Sequence, residues 1–183
     1  MAKRLSSTLF VIRNLAKYCD KNTLLSVYHG LFLSILRYGL IFWGGCSQSN
    51  MHRVFTLQKA AVRIIAGLKK RQTCKDTFVE LGLLTLPALY IFDCITFTLN
   101  NKMGETVLGK TGIITRQADD FYVPPYRLKK TSFSVQWAGR QFFNALPGEI
   151  KRKKDETCFK NSLRDFLLKK SFYQVNEFHQ IVT

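Results

Sequence analysis

The stretch LQKAAVRIIAG, residues 57–67, combines regularly spaced apolar side chains with two cations and ends in glycine. It predicts an amphipathic helix over 51–66, which begins after Asn50 as its cap and ends at Gly67. The apolar residues that follow the helical period, and that we expect in the core, are Val54, Leu57, Ala61, Ile64 and Leu68. The cations on the other faces are Arg53, Lys59 and Arg63. Composition alone leaves open whether these cations are only solvated or form a binding surface.

Similar patterns predict further helices, so the fold class is mainly α. We expect a small bundle of about five to seven helices, followed by an irregular segment with short strands and by a C-terminal helix. The predicted helices are 5–18, 23–41, 51–66, 76–82, 86–100, 136–145 and 157–170. The side of helix 23–41 that follows the helical period consists of Leu24, Val27, Tyr28, Leu31, Ile35 and Tyr38. The predicted organisation is a helical domain over 1–100, a linker over 101–114, and a C-terminal segment over 115–183 that contains short extended stretches and the helix 157–170.

The charge of the chain is its most unusual property. Its 28 Lys and Arg residues exceed its 12 Asp and Glu residues by 16, and the excess is spread along the sequence. A hydrophobic content of 46% supports a core and argues against wholesale disorder. A folded domain with this balance tends to bind a polyanion, although a soluble domain that is merely basic is the alternative.

Three basic clusters accompany the cations of the helix 51–66, and all of them are candidates for nucleic-acid binding through phosphate contacts. The clusters are Lys69, Lys70 and Arg71; Arg127, Lys129 and Lys130; and Lys151, Arg152, Lys153 and Lys154. Aromatic residues near the second and third clusters either stack on unpaired bases or belong to the core. They are Phe121, Tyr122, Tyr126, Trp137, Phe142 and Phe143.

The sequence offers no pattern that indicates catalysis, and we predict no catalytic residue, no metal site and no cofactor. Asp119 and Asp120 resemble the metal-binding pair of a polymerase, but Pro124 and Pro125 shorten the strand that such a hairpin needs, so we predict an exposed acidic loop. The five cysteines lack the CxxC spacing of a zinc site and are expected to be free thiols in a reducing compartment. The most apolar window, 31–45, is too short to span a membrane, so we expect a buried helix there and no membrane partner. The expected location is intracellular, nuclear or cytoplasmic.

Five motifs in order resemble the C-terminal part of the reverse transcriptase of non-LTR retrotransposons, of the jockey-like kind found in arthropods. They are LLSVYHGLFLSILRYGLIFWGG (24–45), LQKAAVRIIAG (57–67), TFVELGLLTLPALYIF (77–92), TRQADDFYVPPYRLKKTSFSVQWAGRQFFNALPGEIK (115–151) and FKNSLRDFLLKKSFYQVNEF (159–178). The resemblance covers nearly the whole chain. Tyr38, Gly39, Trp43 and Gly44 match the family's YG and WG pattern, for which we expect a structural role.

The resemblance implies a helical thumb-like domain that grips an RNA/DNA template–primer duplex through its backbone. It also implies a truncated element, because the palm with its metal-binding aspartates and the endonuclease domain lie upstream in that family. We therefore expect a non-catalytic fragment of an RNA-directed DNA polymerase, with a palm domain supplied in trans as a further partner. The alternative is a host-adopted or relic helical domain that binds other proteins and no nucleic acid.

Overall fold

The computed structural model describes residues 1–101, 104–113, 118–125, 127–128, 131, 134–154 and 158–182. Within these ranges the chain forms helices and no strand, apart from an isolated antiparallel bridge between Thr106 and Phe121. The predicted mainly α fold is therefore confirmed.

The helices lie close to the predicted positions along most of the chain. In order, they are α1 (Ala2–Leu15), α2 (Lys21–Val27), a π-helical turn (Tyr28–Leu33), α3 (Ser34–Arg37), α4 (Leu40–Trp43), α5 (Gln48–Ile65), α6 (Lys75–Glu80), α7 (Leu86–Asn100), α8 (Val107–Thr111), α9 (Val135–Asn144), α10 (Gly148–Lys151), α11 (Phe159–Lys170) and α12 (Val175–Val182).

Helix α7 is the centre of the fold. It is buried along most of its length and packs against α4, α5, α9, α11 and α12. Its contact with α9 is close because Gly139 lies against Thr98, where a Cβ at position 139 would approach the Thr98 Oγ1 to 2.0 Å. A helix that is apolar on nearly all sides must be enclosed, and α7 is enclosed by helices from both ends of the chain.

The predicted helix 23–41 is wrong in its continuity, and its predicted face is only partly correct, since Leu24 and Tyr28 are buried whereas Leu31 and Tyr38 are not. It ends at Tyr38, and Gly39 adopts a positive φ of 62° before α4 begins. The π-helical turn widens the spacing of the buried side chains to every fourth residue, which gives Leu24, Tyr28, Phe32, Leu36 and Leu40. Leu31 and Tyr38, which the 3.6-residue period places inside, are 49% and 82% exposed.

The face that α5 buries is rotated from the predicted one. Its enclosed residues are Val54, Phe55, Gln58, Ala61, Val62 and Ile65, whereas Leu57, Ile64 and Leu68 are only half-buried. The rotation arises because α1 covers one side of α5 while α2 and α7 cover others. The helix also begins earlier than predicted, after Ser47 and not after Asn50.

The region around residues 101–135 is less regular than the rest. Helix α8 lies inside the predicted linker 101–114, where the Thr106 Oγ1 caps it by accepting a hydrogen bond from the Gly109 N–H at 3.1 Å. In the described part of 115–135, the predicted short strands are replaced by the single bridge residue Phe121. The buried apolar residues on both sides of this region form one cluster, and the division at 101–114 remains a prediction.

Candidate nucleic-acid interface

Six cations lie on the second half of α5, in the loop that follows it and at the start of α6, and we call them the α5–α6 basic surface. Its members are Lys59, Arg63, Lys69, Lys70, Arg71 and Lys75. Five of them are predicted nucleic-acid-binding residues, and the fold brings them together. Lys75 is an addition, although it belongs to the same cation-rich stretch of sequence.

The aromatic ring of Tyr173 joins the two ends of this surface. The Lys59 Nζ lies 5.4 Å from the centroid of that ring and 4.8 Å from the centroid of Phe55. The Lys75 Nζ lies 5.9 Å from the Tyr173 ring. Cation–π attraction thus holds two ammonium groups close together without neutralising them. Burial, followed by the influence of the Cys74 thiol, raises the pKa of Tyr173, so the phenol carries no charge at neutral pH.

Arg63 holds the loop that carries three further cations. Its Nε donates a hydrogen bond to the backbone oxygen of Gln72 at 2.7 Å. The Gln72 N–H donates to the Lys69 oxygen at 3.0 Å, which closes a tight turn. Lys69, Lys70 and Arg71 are all exposed on this turn. Arg63 therefore acts mainly as a positioning residue for the turn and is less available for phosphate contact than the sequence suggests.

Arg53 lies apart from Lys59 and Arg63, near the start of α5. It is exposed and lines the rim of a large cavity. The three cations of the helix therefore do not form the single free face that the sequence suggests. Lys59 covers aromatic rings, Arg63 fixes a turn, and Arg53 alone of the three is exposed.

The cluster 151–154 lies on α10 and the residues after it, away from α5. The Lys151 Nζ forms an ion pair with the Asp120 Oδ1 at 2.7 Å, and both side chains are largely buried. Arg152 and Lys153 are exposed, and Lys154 is half-buried. The prediction of an exposed acidic loop holds for Asp119, but it is wrong for Asp120, because the ion pair with Lys151 draws that carboxylate inward.

In the second cluster, Arg127 is exposed, whereas Lys129 and Lys130 lie outside the described residues. Of the six aromatic residues predicted near these clusters, Phe121 and Tyr122 are half-buried. Phe142 and Phe143 are core residues, with 4% and 1% exposure. Trp137 is half-buried at the cavity, and Tyr126 lies outside the described part of the chain.

The cavity has a volume of about 770 Å³, a size typical of sites that bind small ligands. It lies between the loop 44–47, the first two turns of α5, the start of α7, one face of α9, and the start of α12 with the residues just before it. Aromatic residues contribute much of its wall, and these are Phe55, Tyr90, Trp137, Phe142 and Tyr173. Phe55 and Tyr173 are the rings that Lys59 covers, so the cavity adjoins the α5–α6 basic surface.

The pKa values of three groups in the cavity wall are shifted towards the neutral form. Burial raises the pKa of the Cys46 thiol and of the Tyr90 phenol. Partial burial lowers the pKa of the His179 imidazole below its usual value. A thiol with a raised pKa is a weaker nucleophile at neutral pH, because less of it is present as thiolate.

The described part of the chain contains neither a metal-ligand cluster nor a membrane-spanning helix. No group of His, Cys, Asp and Glu side chains is arranged to hold a metal ion there. No helix in the described ranges is both long and apolar enough to cross a bilayer.

Two features of the interface have little signal in the sequence. Tyr173 lies in the tail after α11, and its position beside Lys59 and Lys75 depends on how that tail folds back onto α5. The cavity draws its wall from segments that are far apart in sequence, so no local pattern predicts it.

Comparisons of the chain with protein families, with curated proteins and with solved structures find no match.

Proposed function

We propose that this chain binds the backbone of an RNA/DNA duplex without sequence preference, as the thumb-type region of a non-LTR retrotransposon reverse transcriptase. In this proposal it contributes grip on the template–primer and no polymerase chemistry, and it acts inside the cell. A palm domain supplied in trans is the protein partner that the proposal includes.

The observation that supports this function best is the excess positive charge of the α5–α6 basic surface, whose six cations outnumber the nearby carboxylate of Asp76. Among the described residues, ion pairs join Arg37 to Asp93 and Lys151 to Asp120, and neither pair involves this surface. Lys59 lies over aromatic rings and Arg63 donates a hydrogen bond to a backbone oxygen, and neither contact neutralises the cation. Such a surface attracts phosphates and releases their counterions when it binds.

The test is a salt series of RNA/DNA hybrid binding, measured by fluorescence anisotropy. We expect the logarithm of the association constant to fall linearly with the logarithm of the salt concentration, at about 0.9 per phosphate contact. Replacing Lys69, Lys70 and Arg71 with Gln should reduce the slope by about two to three and weaken binding to all sequences alike.

The matched control replaces three exposed cations of the N-terminal region, Lys3, Lys17 and Lys21, with Gln. It removes the same net charge from a different surface, so the slope should change by much less. Equal effects of the two triple variants would show that only the overall charge matters. A slope near zero for the unmodified protein would contradict phosphate contact altogether.

A second candidate function is a protein-interaction domain, and a group of exposed apolar side chains favours it. Phe10 and Val11 on α1 are 62% and 41% exposed, and Leu31 on the adjacent π-helical turn is 49% exposed. This function predicts that changing these three residues to Ser abolishes partner capture and leaves hybrid binding unaltered. The basic triple variant should have the opposite pattern if the first function is correct.

A further inference from the structure

The aromatic cavity beside the α5–α6 basic surface has the properties of a site for an unpaired nucleobase. Its volume of about 770 Å³ leaves room for a planar ring system, and five aromatic side chains contribute to its wall. Bases of every kind stack on aromatic rings, and this stacking tolerates sequence differences. We propose that the cavity accepts one unpaired base of a strand whose phosphates lie on the α5–α6 basic surface, an inference that rests on the proposed function.

Two residues belong to both the cavity and the basic surface. Phe55 and Tyr173 line the cavity, while the Lys59 Nζ lies 4.8 Å and 5.4 Å from the centroids of their rings. Phe55 is nearly enclosed, with 3% exposure, whereas Tyr173 is only partly buried. A base inserted beside Tyr173 would therefore carry its phosphate towards Lys59. Arg53, exposed at the rim of the same cavity, offers its guanidinium as a second cationic contact for the adjoining phosphate.

The polar groups of the wall suit the edge of a base. Gln141 on α9 and Asn176 on α12 each carry an amide, which provides both hydrogen-bond donors and an acceptor. These groups can pair with the edge of more than one base. We therefore expect the cavity to bind an overhang that carries bases more tightly than one that lacks them, and to distinguish only weakly between different bases.

The test uses an RNA/DNA hybrid with a short single-stranded overhang and a second hybrid whose overhang has the same length but lacks bases. Both probes carry the same phosphate charge, so backbone binding contributes equally to each. Stacking contributes roughly a 5- to 150-fold gain in affinity. We therefore expect the base-containing overhang to bind more tightly by a factor in that range, with the same salt slope for both hybrids.

Tryptophan fluorescence provides a second measurement that does not disturb the cavity. In a Trp43→Phe variant, Trp137 is the remaining tryptophan of the chain, and it lines the cavity. The base-containing overhang should quench its emission more than the abasic one. Replacing Trp137 with Leu should reduce the affinity difference between the two hybrids, while circular dichroism checks that the variant still folds.

The outcomes separate this inference from the function on which it rests. Equal binding and equal quenching by the two hybrids, with a steep salt slope, would overturn the base site and leave backbone binding intact. Absence of salt-dependent binding to either hybrid would overturn both. Tighter binding of the base-containing overhang, lost in Trp137→Leu, would support the base site.

Discussion

Gln58 is a polar side chain on the buried face of α5, and it is fully enclosed, with 0% exposure. Its Nε2 donates hydrogen bonds to the Tyr28 hydroxyl and to the Leu84 oxygen, each at 3.0 Å. The amide therefore connects α5 to the π-helical turn and to the segment before α7. The periodicity of apolar residues could not identify it, because the pattern assigns glutamine to the solvent by default.

Replacing Gln58 with Leu should destabilise the protein by about 1–3 kcal/mol, since two buried acceptors lose their donor. Urea unfolding measures the change in the free energy of unfolding. Gln136→Leu, on the exposed side of α9, is the matched control and should change it by less than about 0.5 kcal/mol. Equal costs for both variants would mean that the amide contacts add nothing.

Because of Tyr28, the stability of the protein should depend on pH in the alkaline range. Burial raises the pKa of its phenol from 10.0 to about 12, and the hydrogen bond from Gln58 opposes this only in part. A folded-state pKa above the unfolded one contributes stability that is complete below about pH 10 and is lost as the pH rises to about 12. Two pKa units correspond to roughly 3 kcal/mol.

We therefore expect the free energy of unfolding to fall across this pH window, and to fall less in a Tyr28→Phe variant. Urea titrations on either side of pH 10 measure the difference. Tyr18→Phe is the control, because that side chain is 86% exposed and should retain the full dependence. An unchanged pH profile in Tyr28→Phe would assign the effect to other buried phenols, such as Tyr90.

Helix α7 has the same bounds in the structure as in the prediction from sequence, 86–100. The agreement has a local cause: Thr85 caps the helix and Pro87 suits its first turn. The helix predicted over 23–41 fails for a non-local reason. Its π-helical turn packs against α1, and nothing within its own sequence specifies the wider spacing of buried residues.

Thr85 also fastens the start of α7 to the turn between α11 and α12. Its Oγ1 accepts a hydrogen bond from the Ala88 N–H at 3.4 Å and donates one to the Phe172 oxygen at 2.5 Å. Thr85→Val should cost about 2–4 kcal/mol, through the lost cap and the buried Phe172 oxygen left without a donor. Hydrogen exchange should become faster in residues 171–175 as well as at the start of α7.

The control for Thr85 is a helix cap whose side chain makes no second hydrogen bond within the described part of the chain. Ser134 caps α9 by accepting from the Trp137 N–H at 3.4 Å, and Ser134→Ala should cost about 1 kcal/mol. The difference between the two variants measures the attachment of the α11–α12 turn. If Thr85→Val costs no more than Ser134→Ala, the bond to Phe172 does not stabilise this junction.

The net charge of +16 predicts a polyanionic partner, but it does not predict where the partner would bind. The distribution of the cations depends on how the chain folds. Tyr173 returns to α5 only because α11 and α12 pack on α7, and this return places Lys59 and Lys75 around one ring. Lys151 contributes no free charge, since Asp120 neutralises it. The candidate interface is thus a property of the assembled helices.

If α7 unites the core, the whole chain should unfold in one cooperative transition. Two tryptophans report on parts of the chain that the sequence assigns to different domains: Trp43 on α4 and Trp137 on α9, both helices that pack on α7. Each can be observed alone in a variant that replaces the other with Phe. In each variant, the urea midpoint from fluorescence should coincide with the midpoint from far-ultraviolet circular dichroism. Since both signals come from the same variant, any loss of stability caused by the substitution cancels. A Trp137 transition separated from the circular dichroism transition would instead support independent domains joined at 101–114.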